Sequence, residues 1–99
     1  MRWIVTHVEW NSISLNRTEY DATQNSDDKI HTLNYTWFKD SKAFSEEKSI
    51  AEDQNYVKVD GLSPKTTYYI QVFSEGLYGR RLMVAFNVST LSIGKYYLF

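Results

Sequence analysis

A chain of 99 residues has room for one domain rather than two, and its 42% hydrophobic and 16% aromatic content can build a core, which excludes a disordered tail. One proline and four glycines exclude collagen-like and low-complexity readings, and a formal net charge of −1 offers no basic field for a phosphate backbone, so nucleic acid is not the expected partner. Cysteine is absent, which removes disulfide scaffolds, thiolate catalysis, CxxC redox chemistry and zinc fingers together.

Period-2 alternation runs through the chain from its start. Ile4, Thr6 and Val8 mark a first strand, predicted over Val5 to Val8, with His7 out of phase with them. A second run, Ser12 to Asn16, has apolar Ile13 and Leu15 on one side. From Ile30 to Lys39 a longer alternation places Leu33, Tyr35 and Trp37 on one face. Lys39 to Gln54, with Glu46, Glu47, Lys48, Glu52 and Asp53, has weak strand propensity. It reads as a solvated connection with one ragged edge strand near Ala43 or Ile50, and Ser49 with Glu52 also matches the capping box of a single helical turn. Tyr56 to Val59 is short and alternating. Tyr68, Ile70 and Val72 alternate again, and Phe86 and Val88 do so in a last run over Leu82 to Thr90. Polar or glycine-bearing breaks fall at Thr23 to Asp28, Asp60-Gly61, Ser63-Pro64 and Gly76 through Gly79. Six or seven short strands with regular breaks predict an all-β, seven-strand antiparallel sandwich. It occupies residues 1–92, followed by a tail at 93–99. That tail, Ile93 to Phe99, is apolar for an exposed end, and reads either as the start of a following domain or as an extra strand packed back.

The segment Val59-Asp60-Gly61-Leu62-Ser63-Pro64-Lys65-Thr66-Thr67-Tyr68 and the alternating residues after it resemble the crossing between the fifth and sixth strands, E and F, of a fibronectin type III domain. The resemblance implies a tyrosine corner, with the Tyr68 ring buried and its hydroxyl returned to the backbone upstream, Leu62 capping the core and Pro64 setting the turn. It covers about residues 3 to 92. The family's core tryptophan at the end of the second strand is missing, since Arg17 stands near that position, and Trp37 is the expected replacement ring.

Catalytic chemistry has no residue-level support. His7 and His31, the only histidines, fall in different strands and read as solvated or hydrogen-bonded strand residues. No GxSxG elbow, HExxH helix or glycine-rich phosphate loop occurs. Asp21, Asp27 and Asp28 beside Glu19 lack the ligand order of a calcium loop and read as a solvated acidic connection. The chain is therefore expected to be no enzyme and to need no metal and no cofactor.

Two features point to recognition instead. Tyr78, Arg80 and Arg81 form a candidate partner-binding loop between the last two strands, a place where such sandwiches present contacts. Three Asn-x-Ser/Thr triplets make Asn16, Asn34 and Asn87 N-glycosylation candidates, where this composition yields about one by chance. Alternation puts all three on outward phases. The resulting expectation is an extracellular spacer and protein-interaction module of a larger receptor or adhesion protein. It would bind protein partners or neighbouring domains, would not insert into membrane, and would be monomeric when isolated. The alternatives are an accessory spacer of a secreted microbial carbohydrate-active enzyme and an intracellular filament spacer. The first of these would be supported by a surface aromatic stripe, for which Trp3, Trp10 and Phe38 are the candidates.

Overall fold

The computed structural model describes residues 3–17, 30–51, 53–76 and 79–98. Eight strands follow one another: β1 (Trp3–Glu9), β2 (Ile13–Arg17), β3 (Ile30–Lys39), β4 (Lys42–Ile50), β5 (Tyr56–Val59), β6 (Thr67–Gly76), β7 (Gly79–Ser89) and β8 (Tyr96–Leu98). They form two antiparallel sheets, in the orders β5-β2-β1-β8 and β4-β3-β6-β7. The first seven strands make the sandwich expected from the alternation. The eighth, three residues long, pairs with His7–Glu9 of β1. The chain reaches it through a reversal at Ser92 to Lys95, where Gly94 takes φ +84° and the Lys95 N–H donates to the Ser92 carbonyl.

The core lies between the sheets because each strand sends alternate side chains inward. Ile13 and Leu15 of β2, Val57 and Val59 of β5, Leu33 and Tyr35 of β3, and Ile70 and Val72 of β6 are all buried there. Each aliphatic side chain so enclosed contributes about 1.5–3 kcal/mol relative to exposure.

Three sequence expectations need correction. First, the edge strand expected near Ala43 or Ile50 is a regular nine-residue strand over Lys42–Ile50, paired with β3 from Lys39↔Lys42 to His31↔Ile50, rather than a short ragged strand in a solvated connection or a helical turn. Its composition looked unlike a strand because only Ile50 is buried. At a sheet edge, charged residues satisfy solvent and still complete the ladder. Ser49 lies in this strand opposite Thr32, while Glu52 lies outside the described residues.

Second, the phase of β1 changes midway. A bulge between Val5 and His7 leaves Thr6 as the extra residue, so Trp3, Val5 and Val8 stand opposite Arg17, Leu15 and Ile13 on the inner face. Ile4 instead faces outward, opposite Asn16.

Third, Trp3 is therefore a core residue, only 1% exposed, and no member of a surface stripe. Its ring packs beside Arg17, with the Arg17 guanidinium 4.9 Å from its centroid. Trp37 is half-buried at the core margin, stacked between Tyr35 and Phe44.

Candidate functional site

The crossing from β5 to β6 is held by a hydrogen-bond set that starts with Tyr68. Its ring is buried, and its hydroxyl accepts the Ser63 N–H at 2.9 Å. Gly61 just before it takes φ +70°, a conformation that side chains rarely adopt, and Leu62 is buried beneath. Thr90, past the end of β7, completes the set. Its hydroxyl donates to the Ser63 carbonyl at 2.6 Å and accepts the Thr66 N–H at 3.0 Å. Alternation alone does not reveal Thr90, because its partners lie 24 and 27 residues away.

At the opposite end, β6 and β7 pair as far as Gly76↔Gly79, so Arg80 and Arg81 of the expected loop at Gly76 to Arg81 belong to β7. Tyr78 lies outside the described residues. Arg80 lies across the outer face of its own sheet. Its Nε donates to Glu75 of β6 at 2.8 Å and an NH group donates to Glu47 of β4 at 2.7 Å, with the guanidinium 5.2 Å from the centroid of the Phe73 ring. The hydrogen bond to Glu47 raises the Arg80 pKa further above its ordinary value. Glu75 also accepts from the Thr32 hydroxyl at 3.0 Å, so four strands are tied together on this face. Arg81 is exposed, opposite Ser74.

The sequon residues all stand on outer faces. Asn16 is exposed on the β5-β2-β1-β8 sheet, where its Oδ1 accepts from the Thr6 hydroxyl at 3.2 Å. On the other sheet, Asn34 is half-buried between Glu47 and Gln71 and accepts from the Thr36 hydroxyl at 3.2 Å. Asn87 is exposed opposite Tyr69, and the Ser89 hydroxyl of the same triplet meets that of Thr67 at 2.7 Å. Asn34 and Asn87 share one face because inward Leu33, Tyr35, Phe86 and Val88 flank them.

Two clusters escaped sequence reasoning. Near the hairpin end, the Trp3 indole N–H donates to His31 Nδ1 at 3.1 Å, and the same nitrogen meets Arg17 at 3.1 Å. Nδ1 accepting from the indole keeps the ring's proton on Nε2, so His31 serves as a buried packing and hydrogen-bonding residue. Burial lowers the Arg17 pKa from its usual value. Only the inward phase of Trp3 and His31 could have signalled this pair, and the bulge hides it for Trp3. At the far end, Tyr35, Trp37 and Phe44 stack in sequence at centroid distances of 5.7 Å, with Tyr68 5.6 Å from Trp37. The Tyr35 hydroxyl donates to Glu46 at 2.9 Å. Burial first, then this bond and the carboxylate charge, push its pKa up to about 12. Among the described residues, no group of three or more His, Asp or Glu side chains is placed to hold a metal ion, and no helix is long and apolar enough to cross a membrane.

Comparison with known proteins gives the architecture a context. No family model and no curated protein matches the chain in sequence. Solved structures do match in shape. The fn3 domain of the human collagen alpha-1(XX) chain aligns at TM-score 0.71 and 15% identity, over 96% of this chain and 86% of that one. The chicken CNTN1 FN1-FN3 domains align at TM-score 0.69 and 16% identity, over 93% of this chain and 30% of theirs, so this chain spans under a third of that structure. A structure described as that of a myokine aligns at TM-score 0.62 and 13% identity, over 90% and 92% of the two chains. The fold is that of fibronectin type III domains.

Proposed function

We propose that this domain is an extracellular, N-glycosylated spacer and protein-interaction module of a larger cell-surface receptor or adhesion protein, without catalytic activity of its own. The observation that carries this reading is the placement of the three sequons. Asn16, Asn34 and Asn87 all occupy outward positions of strands, and none is part of the core. A glycan at any of them projects into solvent without unpacking the sandwich. The shape likeness to domains of a collagen chain and of CNTN1 supports a place within a longer chain.

Glycans at Asn34 and Asn87 would cover the outer face of the β4-β3-β6-β7 sheet and leave recognition to the end of the sandwich at Gly76 and Gly79. The start of β3 lies at the same end, since Ile30 pairs with Glu75. Rigid presentation of this end of the sandwich is the mechanism, with Arg80 acting as the strap that holds the sheet face beside it. The microbial-accessory alternative is weakened by the burial of Trp3, which leaves no continuous stripe with Trp10 and Phe38.

The test is intact mass after secretion from eukaryotic cells, before and after enzymatic removal of N-glycans. A glycan-sized mass loss with site mapping to Asn34 and Asn87 is expected. An unmodified mass from a folded, secreted sample would overturn the glycoprotein reading.

A further inference from the structure

Every open sheet ends in edge strands whose unpaired backbone groups can template pairing with another chain. Here the four edges are protected unequally. The β5 and β8 edges are four and three residues long, too short to offer a stable ladder. The β4 edge is long but carries Lys42, Glu46, Glu47 and Lys48. The remaining edge, β7, runs for eleven residues. Its first part is protected by Arg80, Arg81 and a bulge at Met83, where the partner residues of β6 shift between Val72 and Phe73. From Val84 to Ser89 no such device exists: the pairing is regular, and the segment Val-Ala-Phe-Asn-Val-Ser holds no charge and no proline.

Beside this segment lies an apolar groove of about 550 Å³ between the sheets, lined by Val5 and Val8 of β1 and by Phe86, Val88 and Leu91. A strand added to β7 would therefore gain backbone hydrogen bonds and also cover apolar side chains, the combination that makes edge pairing favourable. The middle of the same segment is Asn87, the acceptor of the third sequon.

We infer that the N-glycan at Asn87 guards the β7 edge, and that without it two copies of this chain pair through β7 of each in antiparallel order. This inference rests on the glycoprotein reading above for the guard, and on the edge alone for the pairing. Antiparallel self-pairing suits the charge pattern, since it carries Arg80 and Arg81 of one copy toward the uncharged Val88-Ser89 end of the other. It also places both Asn87 side chains on the same outer face of the joined sheet. The partner strand lies about 5 Å from the one bearing the glycan, so two branched glycans compete with the contact.

The experiment compares this chain made in bacteria, without N-glycans, with the chain secreted from eukaryotic cells, by sedimentation over a range of concentrations. The bacterial chain is expected to shift from monomer to dimer as concentration rises, and the secreted chain to stay monomeric. Asn87→Gln secreted from eukaryotic cells should dimerise like the bacterial chain, whereas Thr36→Ala, which removes only the Asn34 sequon, should remain monomeric. Ala85→Lys, an exposed edge charge, should return the bacterial chain to monomer. A bacterial chain that stays monomeric at every concentration, or a dimer untouched by Ala85→Lys, overturns the pairing. Site mapping separates the two readings: an unoccupied Asn87 in the secreted monomer overturns the guard, while a bacterial dimer sensitive to Ala85→Lys still upholds the edge.

Discussion

At the scale of single residues, the two buried tyrosine hydroxyls do different work. Tyr68 accepts one backbone N–H across the β5–β6 crossing, so Tyr68→Phe leaves the Ser63 donor without that partner while the ring still fills its place. The expected loss is about 1–1.5 kcal/mol, read as a lowered midpoint in denaturant with an unchanged slope. Tyr35 instead donates to a carboxylate, and its pKa stands at about 12 in the fold against an ordinary value of 10.0. A raised folded-state pKa means that the contribution is fully present below the unfolded value and is lost as pH climbs from about 10 towards 12. Other groups titrate in that window, so the measurement is the difference between wild type and Tyr35→Phe. Wild type should lose its advantage over the variant across that interval, and a constant difference from pH 9 to 12 would refute the assignment. Tyr68 was legible in the sequence because Gly61, Leu62 and Pro64 surround it at characteristic spacing. The Tyr35–Glu46 pair was not, because neither the full length of the edge strand carrying Glu46 nor its register against β3 shows in the sequence.

At the scale of elements, β4 shows how the extent of an edge strand escapes detection. Propensity reports fit to a half-buried pleated surface, and a strand whose side chains meet water on both faces carries little of that signal. Pairing with β3 and a tight reversal make it a strand. Asp40 and Ser41 both take positive φ, at 53° and 64°, as a two-residue hairpin turn requires. Asp tolerates that region better than Ser, so the strained member is Ser41. Ser41→Gly should stabilise the domain by about 0.5–1 kcal/mol, seen as a thermal midpoint raised by a few degrees. No gain, or a loss, would mean that Ser41 makes a compensating contact. The bulge in β1 is the second element-scale lesson. One extra residue at Thr6 reverses the phase of everything before it, and Trp3 moves from the expected surface to the core.

At the scale of the whole molecule, the sandwich closes at its lower end through contacts between distant segments. The Leu91 N–H donates to the Glu9 carbonyl and the Leu62 N–H to that of Asn11, so residues up to Leu91 belong to the closure itself. The tail beyond contributes the β8 ladder against His7–Glu9. A chain ending at Ser92 should therefore fold with the same far-ultraviolet spectrum and a midpoint only a few degrees lower. Hydrogen exchange should quicken at His7 to Glu9 and stay unchanged in β3 and β6. Failure of the shortened chain to fold would make the tail part of the domain.

The sequence by itself determined the fold class, the extent of β3, the inward rows of β2, β3 and β6, and the chemistry of the β5–β6 crossing. These are local properties: alternation marks a strand that is wet on one side and dry on the other, and a turn needs particular residues at fixed offsets. Tertiary structure alone decided that Lys42–Ile50 forms a full strand, that Trp3 is buried against His31, that Arg80 is tied to Glu47 and Glu75, and that β7, carrying Asn87, is the outermost strand of its sheet among the described residues. Each of those depends on which segments become neighbours across tens of residues. Burial and charge pairing belong to that neighbourhood, and no window along the chain contains it.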